Sequence, residues 1–364
     1  MAERRTKSER ARAKAPAERS PDSSPRIVVI GASAGGFAAL TALAAELPPS
    51  FPAVVFAVLH IAPDFPARDF AARLDRSSAI PWKLPRNGER FSVGTAYIAP
   101  PDAHMLVKEH TVLVTKGAHE NRYRPGIDPL FRSAAVAHGS RVVGVVLTGM
   151  LDDGTSGLEA IARCGGITVV QEPSDAAFPA MPQSALDHVH VRYRATLAEM
   201  GALLERLVRT PVPKSKPAPE DVAVEALIAE RVVSDVHAAD RLGEQVPYNC
   251  PDCGGVLWQM SKPKVLRFRC HVGHAFTAAA LLEMQSQKLE ETLWITLRML
   301  EERRNLARSM ANQGAPALVR RAEDRAREAD AHIKRIREIL GAGTPAARSA
   351  PSASRPRNPP STAR

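Results

Sequence analysis

The chain has 364 residues, 45% of them hydrophobic and 24% charged, and a formal net charge of +10. Such a length holds more than one unit, and the apolar share supports at least one sizeable core. The charge does not mark a nucleic-acid binder: residues 1–26 hold eight Lys/Arg against four Asp/Glu, residues 341–364 hold four Arg and no acid, and the middle is near neutral. Both tails are rich in Ala, Ser, Pro and Arg and read as disordered, free at most to meet an anionic surface.

Residues 27–45 carry no charge, but their three glycines, Ser33 and Thr41 fit a strand, a turn and a helix rather than a membrane span. The basic stretch before them is too long and too polar for an ordinary signal peptide. Ile27 to Ile30 is a buried strand, Gly31, Gly35 and Gly36 allow a tight turn, and a helix over 36–46 follows. Ala53 to Leu59 is a second buried strand ending at His60, with a helical pattern around 66–74. Strands are predicted at 92–98, 104–109 and 111–115, and a helix over 128–138 starts at Asp128. Val142 to Leu147 is another buried strand, followed by a helix over 155–163, a strand over 167–171 and helices near 182–188 and 195–208. This alternation predicts an α/β fold with a doubly wound, mostly parallel sheet.

In such a sheet ligands bind beyond the carboxyl ends of the strands. Ser33, His60 and the pair Asp152-Asp153 all stand at such ends. A serine at a helix start can be a simple cap, a histidine a core residue and an aspartate a loop carboxylate. Together on one sheet edge they are what acyl transfer needs: a nucleophile, a base, and a carboxylate that orients the base.

Five segments carry a resemblance. They are Ile30-Gly31-Ala32-Ser33-Ala34-Gly35-Gly36, Leu59-His60-Ile61-Ala62-Pro63, Ala96-Tyr97-Ile98-Ala99-Pro100, Asn121-Arg122-Tyr123-Arg124-Pro125 and Leu147-Thr148-Gly149-Met150-Leu151-Asp152-Asp153-Gly154. In this order, across residues 26–208, they resemble the catalytic domain of CheB-type chemotaxis methylesterases. The resemblance implies Ser33 as nucleophile, His60 as general base, Asp153 as orienting carboxylate and the Met150 backbone as an oxyanion donor. It implies hydrolysis of a glutamyl methyl ester, with glutamine deamidation as a companion activity, and no cofactor for catalysis. The implied partner is a methylated chemoreceptor or receptor-like protein, with a methyltransferase or helical scaffold as a further candidate. Two departures stand out. Ala34 replaces a threonine frequent in the family. Only 26 residues precede the first strand, where the chemotaxis enzymes carry a phosphoacceptor receiver domain, so control by phosphorylation in cis is not expected.

After Pro211–Pro219, which read as a stiff linker, residues 220–241 suit a helix. Cys250-x-x-Cys253 is then followed by Cys270 and His274. Three sulfurs and one imidazole make a closed tetrahedral zinc site of the structural kind. His271 competes with His274, but its adjacency to Cys270 strains a shared tetrahedron. Trp258 and Phe268 are the expected apolar plug, and Cys164 a buried small hydrophobe. The unit resembles a zinc ribbon; with no interleaved basic and aromatic residues it is not read as binding nucleic acid. Leu282, Leu289, Leu293, Leu297 and Leu300, then Leu318, Ala322, Ala326, Ala329, Ile333, Ile336 and Leu340, predict a helical hairpin broken at Gly314-Ala315-Pro316 and capped at Gly341. Its arms pack on each other, form a homodimeric coiled coil or offer a docking site.

The expected division is a tail over 1–25, a catalytic domain over 26–208, a linker over 209–245, a zinc-ribbon-like unit over 246–276, the hairpin over 277–341 and a tail over 342–364. With no membrane segment and no disulfide framework, the expected compartment is cytoplasmic. Two other functions compete with the esterase: a non-catalytic signalling module on the same fold, and a hydrolase of small esters.

Overall fold

The computed structural model describes residues 25–215, 217–230, 239–260, 264–312 and 316–343. The expected disordered tails fall outside these residues, apart from Pro25 and the end of the last helix, as does most of the second half of the helix expected over 220–241. The described residues divide into two compact units, one ending at Leu281 and the other starting at Leu282.

The first unit is built on a seven-stranded parallel sheet. Its strands in chain order are β1 (Arg26–Ala32), β2 (Ala53–Leu59), β3 (Trp82–Lys83), β5 (Ala96–Ile98), β8 (Val142–Val146), β9 (Ile167–Gln171) and β10 (Tyr193–Ala195). Their spatial order is β10-β9-β8-β1-β2-β5-β3, so β1 lies between β2 and β8. The β-branched run Ile27–Ile30 explains this central place, since it can be buried on both faces. Val28 and Ile30 enter one core and Ile27 and Val29 the other, as the two-residue period of a strand requires.

Helices α1 (Gly36–Glu46), α2 (Ala67–Ser77) and α6 (Leu197–Val208) bury Leu40, Leu43, Phe70, Leu74 and Leu204 in the first core. Helices α3 (Ile127–His138), α4 (Thr155–Arg163) and α5 (Ala180–His188) bury Leu130, Phe131, Leu158, Ile161 and Met181 in the second. The fold is the expected doubly wound α/β architecture. A small antiparallel sheet of β4 (Glu89–Arg90), β7 (Thr111–Thr115) and β6 (His104–Val107) is added to it. The short strands β3, β4 and β10 were not expected; segments of two or three residues are too brief to show a period.

Pro211–Pro213 are not a free linker. Arg26 donates to the Thr210 and Pro211 carbonyls, and Ser140 Oγ donates to the Pro213 carbonyl at 2.6 Å. Helix α7 (Glu220–Glu230) follows and buries Val222, Val224, Glu225 and Ile228. The cysteine-rich segment is a four-stranded antiparallel sheet of β11 (Gly243–Asn249), β12 (Val256–Met260), β13 (Arg267–Cys270) and β14 (Ala275–Thr277). Trp258 and Phe268 are buried in it, with the indole N–H donating to Asp240 at 2.9 Å.

The second unit contains most of α8 (Ala278–Ala311) and all of α9 (Pro316–Gly343). Leu297, Ala307, Ala322, Ala326, Ala329 and Ile333 are buried along its seam. Arg337 pairs with Glu301 at 2.7 Å and Arg308 with Asp330 at 2.7 Å. Gly341 does not cap α9, which continues to Gly343; nothing in the Leu318–Leu340 period requires the helix to end there. Of the expected break, Gly314 and Ala315 lie outside the described residues, and Pro316 opens α9, where its missing N–H costs no helical bond.

Candidate active site

The carboxyl ends of β1, β2 and β8 bring Ser33, His60 and Asp153 together. Ser33 follows β1 directly, with its N–H donating to the Thr148 carbonyl at 3.0 Å. Gly35, at φ 76°, makes the left-handed turn into α1 that a side chain would resist. The positive end of α1 therefore opens beside the hydroxyl. His60 follows β2, and its N–H donates to the Ala32 carbonyl at 3.0 Å.

His60 Nδ1 lies 3.2 Å from Ser33 Oγ, and His60 Nε2 lies 2.7 Å from Asp153 Oδ2. An ionised carboxylate only accepts, so Nε2 carries the proton and Nδ1 is the free base that accepts from the hydroxyl. The ring nitrogens thus take the opposite assignment to that in chymotrypsin, with the same division of roles. Tyr123 stacks on the imidazole, ring centres 3.6 Å apart and planes 9° from parallel, which stops the ring from turning over. The His60 and Asp153 side chains are each 2% exposed.

Asp153 is held on both oxygens. Oδ2 also accepts from the Ile127 N–H at 2.8 Å, and Oδ1 accepts from Asn121 Nδ2 at 2.9 Å. Burial disfavours its charge, but the bonds from His60, Ile127 and Asn121 outweigh that and hold the carboxyl below its ordinary value. Asp128 lies in the first turn of α3, one residue from the expected start, but its side chain serves another helix. Its Oδ1 accepts from the N–H groups of Gly154 and Gly157 and so caps α4. Burial, with the Asp153 charge beside it, pushes the Asp128 carboxyl up.

Met150 turns its side chain to solvent, 57% exposed. The backbone just before it is fixed: the Gly149 N–H donates to the Phe178 carbonyl, and the Gly149 carbonyl accepts from Met181 N–H. A Cβ on Gly149 would fall 2.9 Å from Ser33 Cβ, so only glycine lets this loop run against the serine.

Sequence reasoning assigned no role to Asn121, Tyr123 or Thr277. The first two lie in a tight turn in which Glu120 and Tyr123 exchange backbone hydrogen bonds. Asn121 (φ 49°) and Arg122 (φ 76°) are both left-handed. Asparagine tolerates this region, whereas a side chain such as arginine costs on the order of 1 kcal/mol there. The turn is held from outside: Asn121 N–H donates to the Ala275 carbonyl at 2.8 Å, and Ala275 N–H to the His119 carbonyl at 3.3 Å. Thr277 N–H donates to Asn121 Oδ1 at 2.9 Å, and its hydroxyl donates to Asp152 at 2.8 Å.

Beneath the turn lies a buried ion network. Arg132 grips both oxygens of Glu120 at 2.8 and 2.7 Å, and Arg269 reaches Glu120 at 2.9 Å. Glu225 pairs with Arg132, Arg267 and Arg269. Burial opposes ionisation of Glu120, but Arg132 and Arg269 hold it well below the usual carboxylate range.

Cys250, Cys253, Cys270 and His274 converge, their ligand atoms all within 4.8 Å of one another. Cys253 and Cys270 Sγ are 3.7 Å apart, and His274 Nδ1 lies 3.7 Å from Cys250 Sγ and 3.5 Å from Cys270 Sγ. Zinc bonds of about 2.0–2.3 Å give tetrahedral edges of roughly 3.5–3.8 Å, so the donor set fits that ion. His274 Nε2 faces Asp252 Oδ2 at 3.9 Å, the side from which a carboxylate can orient a ligating imidazole. His271 instead lies edge-on to Trp258. Cys164 stands apart, and burial pushes its thiol up to about 11.

The CheB methylesterase family model matches residues 28–204. A protein-glutamate methylesterase/protein-glutamine glutaminase of Photorhabdus laumondii is 40% identical over 168 residues, which is 45% of this chain and 47% of that protein. The protein-glutamate methylesterase/protein-glutamine glutaminase 3 of Anaeromyxobacter dehalogenans is 40% identical over 181 residues, 49% of this chain and 53% of that protein. The chain spans about half the length of the curated relatives it matches. The crystal structure of the Thermotoga maritima CheB methylesterase catalytic domain superposes with a TM-score of 0.49 at 32% identity, covering 51% of this chain and 100% of that one.

Proposed function

Since the chain belongs, through residues 28–204, to the CheB methylesterase family, we propose that it hydrolyses glutamyl methyl esters on a receptor-like protein through an acyl-serine intermediate. The observation that carries this reading is the hydrogen-bonded line from Ser33 Oγ through His60 to Asp153.

In the first step Ser33 Oγ attacks the ester carbonyl while His60 Nδ1 takes the hydroxyl proton. Asp153 stabilises the imidazolium so formed. The tetrahedral oxyanion sits by the first turn of α1 and the Met150 backbone N–H. Collapse breaks the bond to the methoxy group, and His60 returns the proton, so methanol leaves. Water, deprotonated by His60, then attacks the acyl-serine and releases the glutamate carboxylate and Ser33. With a glutamine side chain the same steps release ammonia. Ala34 has no hydroxyl to offer, so the nucleophile and base work without a neighbouring serine or threonine at that position.

In this reading Cys250, Cys253, Cys270 and His274 hold a structural zinc that supplies folding free energy and takes no part in the chemistry. The cytoplasm is the matching compartment, because it keeps four unpaired thiols reduced. Among the described residues no helix is long and apolar enough to cross a membrane. The second unit is the candidate docking arm for a methyltransferase or a second copy, supported by exposed Leu289, Trp294, Ile295 and Met299.

Methanol release from methylated receptor membranes tests the reading. The wild-type chain releases methanol, and Ser33→Ala lowers the rate at least 10³-fold with an unchanged circular dichroism spectrum, in line with nucleophile loss in serine hydrolases. Substantial release by Ser33→Ala refutes the mechanism.

A further inference from the structure

We propose that Asn121 and Thr277 are positioning residues for the catalytic carboxylate, and that the cysteine-rich sheet, through Thr277, is thereby a built-in part of the active-site scaffold. The inference rests on the hydrolase reading above and names what holds that site in register.

The argument starts at Asp153. Its Oδ2 faces the imidazole, and its other oxygen accepts from Asn121 Nδ2 at 2.9 Å. A primary amide can present either its oxygen or its nitrogen, and the wrong choice would set two oxygens against each other. Here the choice is forced. Asn121 Oδ1 accepts the Thr277 N–H at 2.9 Å, so the two amide protons point the other way, to Asp153 Oδ1 and to Asp128 Oδ2 at 3.1 Å. Every hydrogen of the amide is used, and the donor that fixes its orientation is the backbone of β14.

A second tie runs in parallel. Thr277 Oγ1 donates to Asp152 Oδ1 at 2.8 Å, holding the residue that precedes Asp153. Burial pushes the Asp152 carboxyl up, and the Thr277 hydroxyl bond works against that rise. The same hydroxyl accepts from Ala280 N–H at 3.1 Å, anchoring Thr277 at the start of α8. Thr277 is 0% exposed and Asn121 4% exposed, so water does not replace these bonds.

A third observation concerns the turn itself. Asn121 and Arg122 hold left-handed backbone, and the bridge between Glu120 and Ala275 clamps this turn against the sheet. Tyr123, at its end, stacks on His60. One strand of the cysteine-rich sheet therefore fixes the orienting carboxylate and the face of the base at once. The strand begins one residue after His274, a member of the cysteine cluster. Both residues act through Asp153 and Asp152, without touching substrate.

The test uses the full chain and a fluorophosphonate, whose phosphorus is attacked by the activated serine with loss of fluoride, so that no natural substrate is needed. The readout is the second-order rate of labelling at Ser33, together with near-ultraviolet circular dichroism for the fold. Asn121→Ala lowers the rate on the order of 100-fold and Thr277→Val on the order of 10-fold, while Thr277→Ser restores it. Thr277→Val is nearly isosteric and decides the matter where Asn121→Ala does not fold. A folded Thr277→Val that labels at the wild-type rate overturns the inference, as does a loss that Thr277→Ser fails to rescue. Failure of the wild-type chain to label is a different result: it removes the hydrolase reading itself.

Discussion

The parallel sheet and the cysteine-rich sheet lie in one compact unit but draw on apolar burial and polar pairing in different proportions. The strands β1, β2 and β8 are buried along their whole length between two large apolar cores. Burial at ~25 cal/mol per Å² is enough to hold such an element, and removing one large side chain typically costs about 2–5 kcal/mol. Among the described residues the cysteine-rich sheet buries a smaller apolar set, Leu257, Trp258, Phe268 and Phe276, beside a cluster of Val224, Ile228, Leu242 and Met260. To this the sheet adds polar ties: four convergent side chains of a kind that can hold a metal ion, and a buried network of Glu120, Glu225, Arg132, Arg267 and Arg269. The difference teaches where the molecule is robust and where it is conditional. The serine and histidine stand on the apolar part, whereas the partners of the aspartate depend on the polar part.

The strongest break of this contrast, after loss of the nucleophile, is loss of a ligand. On the zinc reading, Cys270→Ala should lower the metal content from one ion per chain to none. Structural zinc contributes ~10–16 kcal/mol in small finger peptides. Hydrogen exchange should then show residues 243–277 fully open and β1, β2 and β8 still protected. Protection retained over 243–277 in a metal-free chain would show that the sheet needs no ion.

Arg132→Met comes next. It leaves Glu120 with Arg269 alone and should cost about 3–5 kcal/mol, as breaking a buried pair does. The urea midpoint measures it, and Glu120→Gln in the same chain should recover part of the loss. By contrast, Arg308→Ala removes an exposed pair with Asp330 in the second unit and should cost under about 1 kcal/mol.

Acid gives the mildest effect. Glu120 and Glu225 have folded values below the ordinary carboxylate, held there by arginines against the opposing effect of burial. Their contribution is therefore full at neutral pH. It declines as pH falls below about 4.3, the unfolded glutamate value, and is gone once the folded values are passed. Urea midpoints between pH 7 and pH 3 should fall more steeply for the wild type than for the Arg132→Met, Glu120→Gln chain. Equal slopes would mean that the network adds nothing to stability.

The same contrast explains what the sequence could and could not reveal. Ile27–Ile30, Ala53–Leu59 and Val142–Val146 announce themselves because a strand buried on both faces must be apolar throughout. Ser33, His60 and Asp153 follow, since each stands just past or shortly after such a strand. The ligand spacing around Cys250 and Cys253 is equally local. Asn121 and Thr277 are different: they lie 156 residues apart, and neither has a period or a spacing that points to the other. The fivefold ion network is hidden for the same reason, as Glu120 and Arg269 are separated by 149 residues. Asp128 was placed at the start of the right helix, but its partners could not be foreseen, because its bonds go to the backbone of α4 across the fold. Long-range polar pairing leaves no trace in composition; only the five short family segments, one of which begins at Asn121, mark the turn as special.

The separation between Asn121 and Thr277 also has a meaning in time. A ribosome adds about 5–20 residues each second. Once Asn121 has been synthesised, Thr277 follows 156 residues later, a delay of roughly 10–30 s. The parallel sheet, complete by Ala195, can form within that interval, with Ser33 and His60 already on their strand ends. The turn bearing Asn121 must wait for its strand. On this timing Ser33, His60 and Asp153 are all synthesised several seconds before Thr277 arrives to set Asn121.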